Sequence, residues 1–86
     1  MSMKGVTLRG LEVFEALAGS GSVAKTALQT GLSQPAVSQQ MRNLEAALNT
    51  DLLDHSRRPM RLTPAGKAVL AHSERALDEL RQAQSE

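Results

Sequence analysis

The sequence predicts a mainly α fold: four helices, with a small two-stranded β wing between the third and the fourth. Three observations carry this. Apolar residues recur at helical steps in four separate stretches, marking one side of a helix each time. Phe14 is the only aromatic residue, so Leu, Val, Met and Ala must fill the interior, which suits packed helices better than a sheet sandwich. Between the last two helical stretches lie two short runs, Leu52-Leu53-Asp54-His55 and Met60-Arg61-Leu62. Ser56-Arg57-Arg58-Pro59 separates them, and the whole reads as a hairpin with a basic tip. A chain of 86 residues is one small domain with a modest core.

The first helix is expected over residues 7–19. Leu8, Leu11, Phe14, Leu17 and Ala18 keep to one side, Thr7 caps the start, and Gly19 and Gly21 stop it. Glu12 and Glu15 fall on the wet face. The second helix, residues 22–29, is short. Ser22 is its N-cap, and Val23, Ala24, Ala27 and Leu28 supply a narrow apolar side. Gln29, Thr30 and Gly31 make the turn, with Gly31 suited to a left-handed position.

The rest of the chain is arranged to hold the stretch LSQPAVSQQMRNLEAAL, residues 32–48. Val37, Met41, Leu44 and Leu48 recur at steps of 4, 3 and 4. At about 100° per residue they point within about 60° of one another. Nearly opposite sit Pro35, Gln39, Arg42 and Asn43, with Ser38 on the shoulder and no acid among the five. Hydroxyl, amide and guanidinium groups of this kind bond to base edges and phosphates. Taken alone, the window is equally an amphipathic helix with a wet polar face. Ser33 caps it, Pro35 fits its first turn, and Asn49 ends it in a residue that tolerates left-handed angles. A short helix, a turn containing Gly and a second helix form the helix-turn-helix arrangement, whose second helix enters the major groove. As a bare pattern it also occurs in many unrelated bundles.

Two strands alone are marginal, so the wing must lean on the helices through Leu52, Leu53 and Leu62. Its arginines suit a phosphate or a minor groove. Thr63 as N-cap and Pro64 as first helical residue start a last helix running to about Gln84. Val69, Ala76, Leu80 and Ala83 form one stripe, with Leu70 and Leu77 beside it and Ser73 interrupting. So long a helix on so small a domain is expected to overhang and to pair with a second copy.

Net charge is only +1, and its distribution is more informative. From His55 to Ser73 there are four cations (Arg57, Arg58, Arg61, Lys67) and no acid, a segment able to face an anionic polymer. Without cysteine there is neither a disulfide framework nor a thiolate metal site. No stretch approaches a membrane span, and the first residues lack the apolar run of a signal peptide. His55 and His72 lie 17 residues apart with no clustered ligand pattern, and the six glycines are too scattered for a phosphate loop. No enzyme, metal or cofactor is expected.

With these residues laid out, the chain resembles the N-terminal DNA-binding domain of LysR-type bacterial transcriptional regulators, from about Thr7 to Leu80. LRGLEVFEALAGSGSVAKTA, LSQPAVSQQMRNLEAAL and LLDHSRRPMRLTPAG carry the resemblance. Each is weak alone and highly specific in combination. The resemblance implies a winged helix-turn-helix over 1–62 and a linker and dimerisation helix over 63–86. It implies a homodimer through Val69, Leu70, Ala76, Leu77 and Leu80, with a tetramer possible in an intact regulator. It assigns Gln34, Pro35, Ser38 and Gln39 to bases or nearby phosphates and Arg42 to the backbone; Ser33 and Ala36, beside them on the helix start, are further candidates for DNA contact. Arg57 and Arg58 serve the wing, and Ser22 and Lys25 touch phosphate. Double-stranded operator DNA is the implied partner and the bacterial cytoplasm the implied location. The chain reads as a DNA-binding fragment, without the family's two-lobed effector domain. It departs from many relatives at Val23 and Leu53, where Phe is common, at Gln39, often Arg, and at Asn49, often Gly. The competing expectation is a helical protein-interaction module without DNA binding, favoured by the stripe on the last helix and the near-zero net charge.

Overall fold

The computed structural model describes residues 4–57 and 59–86. Its elements follow the expected order: α1 (Leu8–Ser20), α2 (Val23–Thr30), α3 (Gln34–Leu48), β1 (Leu53–Asp54), β2 (Arg61–Leu62) and α4 (Pro64–Ser85). Each helix start is capped by the side chain that sequence reasoning nominated. Thr7, Ser22, Ser33 and Thr63 all hold extended backbone angles and accept an amide proton from the first turn. Three helix ends are left-handed, at Gly21 (φ 67°), Gly31 (φ 72°) and Asn49 (φ 53°). Asn49 is the only non-glycine with positive φ among the described residues.

The core gathers Val13, Phe14 and Leu17 from α1, Ala27 from α2, Val37, Met41 and Leu44 from α3, and Leu52 and Leu53 from the entry to the wing. Phe14 is fully buried, as its size and position in the α1 stripe require. Leu53 is buried, and Val23 packs half-buried against the same cluster.

Three expectations need correction. Leu8, placed on the apolar side of α1, is 53% exposed, and Val13, outside that stripe, is buried instead. Gly19 does not stop α1; the helix runs through it and ends at Gly21, whose N–H donates to the Leu17 carbonyl at 2.8 Å. The inner face of α2 keeps Val23 and Ala27 of the expected set but not Ala24 and Leu28. Ala24 is exposed, Leu28 is 86% exposed, and Thr26 is buried beside Ala27. A threonine tolerates that position because its hydroxyl shares a 3.0 Å hydrogen bond with Ser20. Hydropathy assigned the face by side-chain type, whereas a local polar partner decided it.

The wing is shorter than the runs that announced it. Two residues pair on each side, Leu53 with Leu62 and Asp54 with Arg61, antiparallel. It sits on a joint of backbone hydrogen bonds. The Glu45 carboxylate accepts from the Leu52 and Leu53 amides at 2.8 and 3.3 Å. Thr63 N–H donates to the Leu52 carbonyl at 3.1 Å, and the Thr63 hydroxyl donates to the Asp51 carbonyl at 2.6 Å. Here α4 begins, so close to the chain that a Cβ at Gly66 would collide with the Leu52 carbonyl. Only glycine fits that approach.

Helix α4 packs on α1, and Gly66, Ser73 and Leu77 are its buried residues. Ser73 does not break the packing. Its hydroxyl donates to the Val69 carbonyl at 2.9 Å, so a buried polar group costs little. Farther along, Arg81 reaches Glu15 of α1 at 2.9 Å, and Leu80 is 44% exposed. Among the described residues no buried side-chain nitrogen or oxygen lacks a partner.

Candidate nucleic-acid interface

The leucine side of α3 is sealed in the core, and that burial fixes what its other side shows. Val37, Met41 and Leu44 are buried, while Gln34, Pro35, Gln39, Arg42 and Asn43 are exposed and Ala36 and Ser38 lie half-buried on the flank. Ser33 caps the helix, accepting from Ala36 N–H at 3.2 Å. The helix therefore presents a row of short polar groups on a rigid rod, with no acid on that side. Glu45, the acid within α3, is turned to the wing joint.

Three of these side chains are linked. Arg42 Nη2 donates to Gln39 Oε1 at 2.9 Å, and Gln39 Nε2 donates to Asn43 Oδ1 at 2.8 Å. The spacings, three and four residues, are those that place side chains side by side on a helix. Sequence reasoning put all three on one face but did not foresee the links.

At the start of α2, Ser22 is half-buried and uses its hydroxyl on Lys25 N–H at 3.2 Å, while the Lys25 side chain is exposed. The helix N-terminus adds its own positive end. On the wing, Arg57 is exposed and pairs with Asp54 at 3.4 Å. Asp54 also accepts from the Ser56 hydroxyl and amide at 2.5 and 3.0 Å. These bonds, the Ser56 hydroxyl foremost, hold the Asp54 carboxyl below its usual range, with Arg57 adding a weaker pull. Arg58 lies outside the described residues. Arg61 and Lys67 are exposed. His55 is exposed, and His72 contacts Arg75 at 3.0 Å. No group of three or more possible metal ligands occurs among the described residues.

Sequence reasoning missed Arg9. Its guanidinium donates to the Thr30 carbonyl at 2.6 Å, tying α1 to the last turn of α2. A cation at a helix C-terminus is favourable, but a partner 21 residues away leaves no local signal.

The residues assigned to dimerisation divide. Leu77 is buried within its own chain at 5% exposure, and Val69 and Leu70 are half-buried against the core. Ala76 and Leu80 face outward.

Helix, tight turn, helix and a strand pair leaning on them define a winged helix-turn-helix protein. Comparison with known proteins narrows the class. The family model for bacterial regulatory helix-turn-helix proteins of the lysR family matches residues 8–67, and the chain belongs to that family. It is 44% identical over 83 residues to the HTH-type transcriptional activator CmpR of Synechocystis sp., covering 93% of this chain and 27% of that protein. It is 45% identical over 71 residues to the SDS degradation transcriptional activation protein of a Pseudomonas species, covering 83% of this chain and 23% of that one. The chain thus spans about a quarter of the length of these curated relatives. Among solved structures it superposes on the BenM DBD/catB site 1 DNA complex with a TM-score of 0.90 at 32% identity, covering 93% of this chain and 86% of that one. On the CbnR DBD–DNA complex the TM-score is 0.87 at 36% identity, covering 93% and 92%.

Proposed function

We propose that this chain binds double-stranded operator DNA sequence-specifically, as the DNA-binding domain of a LysR-type transcriptional regulator in the bacterial cytoplasm. One observation carries the reading: the acid-free outer face of α3 stands exposed on a helix whose opposite side is locked in the core. Two solved structures of the same fold are DNA complexes, which supports it.

In this reading α3 lies in the major groove. Gln39 offers its amide to adenine, Pro35 or Ala36 packs on a thymine methyl, and Ser38 adds an adaptable bond. Ser33 and Gln34 sit near the bases at the start of the helix. Arg42, Ser22 and Lys25 meet the phosphate backbone, and Arg57 and Arg58 grip the flanking backbone or minor groove. The copies pair through α4, where Ala76 and Leu80 form the outward seam over Val69, Leu70 and Leu77. Two α3 helices then reach two half-sites of one operator.

A salt titration of two variants tests this. Arg57→Ala should weaken all duplexes alike and reduce the slope of log affinity against log salt by about 1. Gln39→Ala should chiefly blur sequence preference, by about 1–3 kcal/mol at one base pair. A chain indifferent to every duplex at low salt would refute the proposal.

A further inference from the structure

We infer that Asn43 and Arg42 set the base preference of α3 by acting through Gln39: they fix the polarity of its amide so that it selects adenine over guanine. The inference rests on the reading of α3 as the helix that faces base edges.

A guanidinium can only donate hydrogen bonds. The end of the Gln39 amide that meets Arg42 at 2.9 Å is therefore its oxygen. The amino end then meets Asn43, at 2.8 Å, and Asn43 must present its own oxygen there. One donor-only group thus orients two amides in series. All three side chains are exposed, so packing does not impose this arrangement; the hydrogen bonds themselves do.

The consequence follows from counting valences. An amide has two N–H donors and two lone pairs on oxygen. Arg42 occupies one lone pair and Asn43 one hydrogen, which leaves one acceptor and one donor. That is the complement of adenine, which shows an acceptor at N7 and a donor at N6 in the major groove. Guanine shows two acceptors, N7 and O6. A free glutamine could turn both hydrogens toward them. Gln39 has committed one hydrogen to Asn43, and its remaining lone pair would face O6 unfavourably. Asn43 and Arg42 are therefore positioning residues for specificity, and neither needs to touch the selected base.

The experiment measures equilibrium binding of the 86-residue chain to duplexes built on its best selected site, with A·T and G·C exchanged at each position in turn. Gln39→Ala first identifies the base pair that Gln39 reads, by loss of discrimination there. At that pair Asn43→Ala should lower the A-over-G ratio by about fivefold or more, the worth of a good bidentate contact. Arg42→Gln, whose amide can present either end, should lower it too. Asn43→Asp keeps an acceptor oxygen in place; it should weaken overall affinity through its charge and leave the ratio unchanged. Thermal unfolding should be unaltered in all of them. If Asn43→Ala leaves the ratio unchanged at the Gln39 pair, the positioning role is wrong while the reading of α3 stands. Discrimination lost at a different pair would make Asn43 a direct reader and also overturn it. If Gln39→Ala blurs no pair at all, the reading of α3 itself fails.

Discussion

The joint beneath the wing and the outer face of α3 are both polar, and they are built in opposite ways. In the joint, side chains answer backbone. Glu45 takes two amides at the entry to β1, and Thr63 both donates to Asp51 and accepts from Gly66 N–H. These bonds all go to main-chain groups of the joint, and Glu45 and Thr63 are half-buried. On α3, side chains answer one another: Arg42, Gln39 and Asn43 form a chain in solvent with donors and acceptors to spare. The first arrangement fixes where the wing and α4 sit. The second leaves the fold indifferent and, in the proposed reading of α3, sets what the surface can recognise. Stability and recognition should therefore separate cleanly under substitution.

The largest effect is expected at Gly66. A methyl group there has no room against the Leu52 carbonyl, and that carbonyl already accepts from Thr63 N–H. Moving α4 away would loosen its packing on α1, along which Ser73 and Leu77 are buried. Gly66→Ala should cost about 3 kcal/mol, the upper end of the usual overpacking cost. At fixed protein concentration that lowers the melting temperature by roughly 12–24 °C for a domain of this size. A melting point within the error of the parent would mean that the approach of α4 to Leu52 is looser than described. If the contrast between the two regions holds, the residual folded Gly66→Ala protein keeps the parent's ranking of DNA sequences.

Glu45 comes next. Removing its carboxylate strands two amides at the wing entry, and hydrogen bonds to a charged group are worth about 1.5–3 kcal/mol. Glu45→Ala should lower the melting temperature by roughly 8–16 °C, taking about 2 kcal/mol as the cost. Glu45→Gln keeps one acceptor oxygen and should recover about half. Neither should change base preference. A Glu45→Ala protein that melts normally but reads DNA differently would join the two regions into one and end the contrast.

What the sequence disclosed divides along a related line. Every helix start was legible because capping is written in adjacent residues: a Thr or Ser, then a free amide within three positions. The two faces of α3 were legible because 15 residues repeat the helical period often enough to fix it. Helix α2 has eight, and there one buried threonine outweighed hydropathy, leaving Leu28 in solvent. Contacts that couple distant segments left no local trace. Arg9 on Thr30, Glu45 under the wing and Gly66 on Leu52 each depend on tertiary placement. The links among Arg42, Gln39 and Asn43 were within reach, since three- and four-residue spacing brings side chains together. What was missing was the donor–acceptor count that follows from a guanidinium at one end.

The smallest effect is at the wing tip, and it tests whether a polar network in solvent leaves the fold indifferent there too. Asp54 is held below its usual range chiefly by the Ser56 hydroxyl, then by the Ser56 amide, with Arg57 weaker. A carboxyl whose folded value is depressed stabilises the folded state above its unfolded value. That contribution disappears as pH falls through the folded value. The relevant window therefore opens below about pH 4, the ordinary aspartate range. Near neutrality Asp54 stays ionised, and neither wing geometry nor DNA affinity should respond to pH on its account. A carbon-detected NMR titration of the Asp54 carboxyl reads this directly. Its midpoint should lie under the ordinary aspartate value in the parent. Ser56→Ala should move it upward more than Arg57→Ala does, because the hydroxyl bond outweighs the exposed ion pair. The reverse order would make charge, not hydrogen bonding, the main constraint on the tip. The Arg57 side chain would then be committed to Asp54 rather than free to meet phosphate.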